Sequence, residues 1–154
     1  MINCKRYDEL LKCNPEDIKS KIESHLFAES ISFLDVDSFP DNNGLYFVFL
    51  GSAVLYIGKA DKQSIKDRCK QYTNNSSGGT LRKKIECVCS CSSSDATSYI
   101  SNSLTAKFIV IEETKKISTL EEVAIWAFQP KLNVIKPSTF TVTVQIPHSL
   151  GKQI

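Results

Sequence analysis

The 154-residue chain lacks any apolar run near the roughly 20 residues needed to cross a bilayer, and Met1-Ile2-Asn3-Cys4-Lys5-Arg6 contains no signal-peptide hydrophobic region. Both absences point to the cytoplasm and away from a membrane. Net charge is also nearly absent: 19 basic against 17 acidic side chains leave +2, so bulk electrostatics names no polyanionic partner. Histidine is scarce, with only His25 and His148, and the six cysteines form no Cys-x-x-Cys pair, which argues against a zinc knuckle. In a reducing compartment those cysteines are expected to stay thiols. Cys87, Cys89 and Cys91 alternate at period two, the pattern of one face of an extended segment. No internal repeat is visible, and the length leaves little room for a second domain. With 42% hydrophobic and 23% charged residues, the chain is globular and can bury a core.

Asn14-Pro15-Glu16-Asp17 supplies a cap, a proline at the first helical position and acids in the first turn, and Ile18, Ile22 and Leu26 follow at helical spacing. A helix is expected over about 15–28. Asp35, Asp37, Pro40, Asp41, Asn42 and Asn43 make a turn-rich connector. It divides an N-terminal helical extension (1–40) from the main unit (41–154), both expected within one compact body. Gly44 to Leu50, punctuated by Gly51-Ser52 and resumed from Ala53 to Ile57, reads as a β-hairpin. Helices are expected over 64–72 and 80–87, with a flexible loop at 73–79 and a serine-rich stretch at 90–94 that has no clear assignment. Residues 107–112 read as an interior strand. Ser118 to Phe128 carries Leu120, Val123, Ala124, Ala127 and Phe128 at helical spacing and is stopped by Pro130. Residues 140–146 alternate Thr and Val as an edge strand would.

Charge that is absent in bulk is concentrated locally. Lys59, Lys62, Lys66, Arg68, Lys70, Arg82, Lys83 and Lys84 are opposed within their stretch only by Asp61 and Asp67, a stripe to which a phosphate backbone responds. The plain alternative for Lys62, Lys66 and Lys70 is a solvated helical face. Arg68 shares a helical stripe with Ile65, Cys69 and Tyr72, so it is expected to face the sheet, where a guanidinium needs an anion. An internal ion pair or a snorkelling stem would also answer that need.

In the hairpin, loop length decides whether Tyr46 and Tyr56 meet. A two-residue loop at Gly51-Ser52 sets Tyr46 opposite Ile57, and a three-residue loop centred on Gly51 makes the tyrosines direct neighbours. Both can also be aromatics that cover a sheet. Glu121 has two readings. Ser118-Thr119-Leu120-Glu121 is a capping-box pattern, and at about 100° per residue Glu121 lies on the rim of the apolar stripe while Glu122 points to solvent.

Gly44-Leu45-Tyr46, Tyr56-Ile57-Gly58-Lys59, the helix bearing Arg68, then Glu121 and Asn133, form an ordered set over roughly 44–134. That set resembles the GIY-YIG nuclease family, with Leu45 in place of isoleucine. The resemblance implies an α+β fold: a small antiparallel sheet, about three central strands plus an edge strand, flanked by helices. It also implies metal-dependent hydrolysis of DNA phosphodiesters. Carried over, Tyr46 is the general base, Tyr56 and Lys59 line the site, Arg68 holds the phosphate and Glu121 binds the metal, Mg2+ with Mn2+ as a substitute. Asn133 is the motif asparagine, counted among the DNA-binding candidates with Lys62, Lys66, Lys70, Tyr72, Arg82, Lys83 and Lys84. The usual histidines are missing, and Tyr72 is placed to stand in for one. A single carboxylate suffices for magnesium, which keeps several of its waters. Cations near Tyr46, Lys59 above all, are expected to acidify its phenol, whose unperturbed pKa is about 10. Restriction-like or standalone action fits better than homing, and cutting both strands from one small site favours a homodimer. The alternative is a noncatalytic nucleic-acid-binding module that keeps the fold.

Overall fold

The computed structural model describes residues 14–26, 29–74 and 79–134. Helix α1 (Pro15–His25) begins as expected: Asn14 Oδ1 accepts the Glu16 N–H at 3.0 Å, proline opens the first turn, and Ile18 and Ile22 are buried. A short strand β1 (Ile31–Ser32) and a 3-10 segment (Phe33–Ser38) follow. Part of the expected connector is therefore ordered, because Phe33, Val36 and Phe39 anchor it in the interior.

Strands β2 (Gly44–Leu50) and β3 (Ala53–Ala60) form the hairpin, and helix α2 (Ile65–Thr73) starts at Ser64, whose hydroxyl accepts the Asp67 N–H at 3.0 Å. Helix α3 (Thr80–Cys89) carries two of the cysteines expected on an extended segment. Leu81 and Ile85, four apart and fully buried, impose the helical period there, and α3 ends at Ser90 in a left-handed conformation (φ 50°). The serine-rich stretch becomes the start of helix α4 (Ser93–Ser103), with Ser92 accepting the Asp95 N–H at 3.1 Å. Strand β4 (Thr105–Val110), helix α5 (Thr114–Phe128) and a single turn α6 (Lys131–Val134) complete the described chain. Helix α5 starts one turn before Ser118, so Ser118 is interior to the helix and no capping box forms. The expected strand at 140–146 and the centre of the expected 73–79 loop lie outside the described residues.

All four strands are antiparallel in the order β1-β4-β2-β3, which makes β4 interior and β3 an edge. The hairpin loop is the two-residue Gly51-Ser52, with Gly51 at φ 61°. Neither register expected for the tyrosines occurs. Leu50 pairs with Ala53 and Phe49 with Val54, but a β-bulge then inserts Leu55, so Val48 pairs with Tyr56 and Tyr46 with Gly58. One extra residue changes the face of everything beyond it. The bulge thereby places Tyr46 and Tyr56 diagonally on one face, ring centroids 6.3 Å apart.

Each sheet face has its own core. Leu45, Phe47 and Ile57 pack with Ile18, Ile22 and Leu26 on the α1 side and with Ile117, Ala124 and Ala127 of α5. Tyr46, Val48, Leu55, Tyr56 and Ala60 face the 3-10 segment and helices α2, α3 and α4 through Phe33, Ile65, Tyr72, Ile85 and Ile100. Among the described residues, no helix is long and apolar enough to cross a membrane.

Candidate active site

The hairpin and α2 bring three phenols together. Tyr46 is 1% exposed, Tyr72 is 0% exposed, and their hydroxyls share a hydrogen bond of 2.5 Å. Two glycines make room. A Cβ on Gly58 would lie 2.2 Å from Tyr46 Cζ and Oη, and one on Gly79 would lie 2.5 Å from the Tyr72 ring. Burial first, then the neighbouring Tyr72 and Tyr56, push the Tyr46 phenol well above its ordinary range. Tyr56 is likewise raised by burial, and Tyr72 is pushed up to about 12, mainly by burial, against the opposing influence of Tyr46 and Arg68. The shift of Tyr46 thus runs opposite to the acidification expected from Lys59: in a sealed pocket, burial and the neighbouring phenols all act upward. Tyr72, expected as a DNA contact, is wholly interior and holds Tyr46 instead.

Arg68 stands between this cluster and a surface pocket. Its Nη1 donates to Gln71 Oε1 at 3.2 Å, and Gln71 Nε2 donates to Gln63 Oε1 at 3.2 Å. Arg68 Nε is buried with no hydrogen-bond partner. Burial opposes its charge, yet Tyr72, Tyr46 and Tyr56 outweigh that, and the guanidinium pKa is raised. Arg68 makes no ion pair with the described residues, so the alternative of an internal salt bridge does not account for it. The pocket, about 290 Å³, is lined by Lys59, Ala60, Asp61, Lys62, Gln63 and Arg68. The tyrosines lie behind Arg68 and do not line it.

From α5, Ser118 and Glu121 approach the same place. Lys59 Nζ donates to Ser118 Oγ at 2.8 Å and lies 3.8 Å from Asp61 Oδ2. Glu121 is half-buried and makes no hydrogen bond or ion pair with the described residues. Burial raises its carboxyl pKa, Lys59 and Arg68 oppose, and Asp61 and Glu122 add to the rise. Tyr56 feels the same carboxylate. Tyr46, Tyr56, Lys59, Arg68 and Glu121 therefore form one neighbourhood spanning the β3 edge.

The remaining candidates separate. Asn133 pairs both ways with Ile57, accepting its N–H at Oδ1 and donating Nδ2 to its carbonyl, each at 2.8 Å. It acts as a missing strand at the edge of β3 and so fixes Tyr56 and Gly58 on either side. Lys84 Nζ donates to the Leu132 carbonyl at 2.6 Å and lies 5.6 Å over the Tyr56 ring, with burial lowering its pKa. Arg82 is not on a DNA-facing surface: 5% exposed, it donates to the carbonyls of Gln71 (3.2 Å) and Asn74 (2.8 Å) and ties α3 to the end of α2. Lys66 and Lys70 reach back to Asp41 (2.7 Å) and Asp37 (2.6 Å), acids of the connector. Lys62 and Lys83 are exposed. Cys69, Cys87, Cys89 and Cys91 are not joined in disulfides, and no group of His, Cys, Asp or Glu among the described residues is arranged to enclose a metal.

Sequence reasoning missed Asp61, Gln63, Gln71 and Ser118 as members of this neighbourhood. Ser118 and Glu121, three apart on a helix, were a usable signal once the helix start was known; the glutamines carried none.

A family model described as the GIY-YIG catalytic domain matches residues 26–142. No curated protein matches. Among solved structures, the GIY-YIG N-terminal endonuclease domain of UvrC from Thermotoga maritima, bound to magnesium as its catalytic divalent cation, is 24% identical over 77% of this chain and 98% of that one, at a TM-score of 0.43. An asparagine-to-alanine variant of that domain, also bound to its catalytic divalent cation, is 22% identical over 78% and 98%, at 0.42. The family model spans every strand of the sheet and all the motif positions from Gly44 to Asn133, and the chain belongs to the GIY-YIG nuclease family.

Proposed function

We propose that this protein is a divalent-metal-dependent endonuclease that hydrolyses DNA phosphodiester bonds. The observation that carries the reading is Arg68: a half-buried guanidinium whose Nε is buried without a hydrogen-bond partner, reaching from a basic pocket to a cluster of phenols, beside a half-buried carboxylate. Arg68 presents donors that a phosphate can accept and cannot lose its charge. Lys59 and Lys62 add positive charge at the mouth.

Glu121 fits a hard cation. Its carboxylate is short of hydrogen-bond donors, and its raised pKa marks a negative charge that lacks compensation. Magnesium needs few protein oxygens beyond its waters and the substrate's phosphate. When bound, such an ion polarises a phosphate oxygen and makes a neighbouring water easier to deprotonate. Tyr46 then serves as the proton acceptor for the attacking water. Its phenol is protonated in the free protein, held so by burial and by Tyr72 and Tyr56, so it accepts a proton only after its own has gone to solvent, a loss that rising pH favours. Asn133 and Gly58 act by positioning: one holds the edge strand and the other leaves space for the Tyr46 ring.

A second reading, a nucleic-acid-binding module without cleavage, is favoured by the closure of Tyr46 at 1% exposure. Purified protein incubated with supercoiled plasmid and Mg2+ or Mn2+ separates the two. Nicking that disappears in Tyr46→Phe and Arg68→Ala, with folding intact, supports the nuclease. Binding without cleavage under either ion supports the module.

A further inference from the structure

The amides beside Arg68 have a polarity that can be deduced. Guanidinium nitrogens only donate, so Gln71 presents its oxygen to Arg68 Nη1 (3.2 Å). Its NH2 group therefore faces Gln63, and Gln63 presents its own oxygen in turn (3.2 Å). That leaves the Gln63 NH2 group as the end of the chain, and Nε2 makes no hydrogen bond with the described residues. Gln63 lines the pocket that Arg68 and Lys59 also line. Its backbone is held as well: Asn43 Nδ2 donates to the Gln63 carbonyl at 2.8 Å and to the Ala60 carbonyl at 3.2 Å.

Resting on the nuclease reading, we infer that Gln63 is a substrate-contacting residue whose amide NH2 donates to a phosphate oxygen of the bound strand. Gln71 is the positioning residue that aims it. Arg68 thus sets two donors at once, its own Nε and, through two amides, an uncharged one at the pocket wall. An uncharged donor has a use that lysine cannot fill: it is directional and adds no counterion-dependent affinity, so it selects the position of the strand rather than attracting any polyanion.

The test uses the full chain and a fluorescent DNA duplex in EDTA, with binding measured across a KCl series, and plasmid cleavage with Mg2+ in parallel. Gln63→Leu is expected to weaken binding about tenfold at every salt concentration, as loss of a hydrogen bond to a charged group does. The slope of log affinity against log salt stays that of the wild type. Lys62→Ala, by contrast, is expected to lower that slope by about one. Gln71→Glu still accepts from Arg68 but cannot donate to Gln63, so it releases the amide and reproduces the Gln63→Leu loss without touching Gln63. Wild-type cleavage with Gln63→Leu and Gln71→Glu both binding and cutting normally overturns the inference and leaves the nuclease reading standing. A wild type that neither binds nor cuts DNA overturns both.

Discussion

The two faces of the sheet are built on different chemistry. Toward α1 and α5 the buried cluster is Leu45, Phe47, Ile57 and their aliphatic partners, with no hydroxyl, thiol or charge among its fully buried members. Toward α2, α3 and α4 the cluster includes Tyr46, Tyr56, Tyr72, Tyr99 and Cys69, and Arg68 enters beside it. Apolar burial is non-directional and tolerant, whereas each buried polar group needs a partner or costs free energy. Unpartnered buried atoms accordingly fall on the second face: Arg68 Nε, Thr97 Oγ1 and Tyr99 Oη. One face holds the fold and the other carries polar groups that a substrate can complete.

The largest effect expected from breaking this division is Phe47→Ala. Phe47 is fully buried and stacks edge-on against Phe128 at 5.6 Å. Its truncation should cost about 3–5 kcal/mol by urea unfolding, with kcat and KM per folded molecule unchanged. A large loss of activity per folded molecule would show that the two faces are not separable.

Glu121→Gln should do the reverse, reducing DNA cleavage by about a hundredfold or more through loss of metal-assisted charge stabilisation. Its folded-state carboxyl pKa is raised, so protonation favours the fold and that contribution is lost as pH rises through the folded pKa. At neutral pH the wild-type charge is a burden, and the variant's Tm should be slightly higher. A lower Tm would mean that Glu121 has a structural partner.

Gly58→Ala sharpens the comparison at a single atom. The new Cβ meets the Tyr46 ring at 2.2 Å, and displacing that ring should cost about 1–3 kcal/mol and abolish cleavage. The smallest effect is expected from Tyr72→Phe, about 1 kcal/mol in stability. Burial, then Tyr72, raises the Tyr46 phenol, so the wild-type single-turnover rate should still be climbing at alkaline pH. Removing the Tyr72 hydroxyl should move that climb to lower pH; an unmoved profile would separate Tyr46 from proton transfer.

Much of the fold was legible locally. Asn14-Pro15 announced α1 and Pro130 closed α5, because caps and prolines act on their own neighbours, and α2 was found within a residue of its bounds. The cysteine triad misled because period two was read where the expected helix α3 runs on to Cys89, and the serine run gave no assignment although Ser92 caps α4. Tyr46, Tyr56, Arg68 and Glu121 could be nominated from their order along the chain. Gln63 and Gln71 could not, since an amide has no distinguishing pattern until its partner is known.

By itself the sequence determined the hairpin, helices α1, α2, α3 and α5 and the set of chemically able side chains, since periodicity, capping and turn residues are short-range causes. Only the tertiary structure decided that Leu55 bulges. That single extra residue puts two tyrosines on one face, and burial there drives their acidity in the direction opposite to what neighbouring lysines suggested. Hydration is lost through the packing of distant segments, and no local pattern records how much of it a side chain will keep.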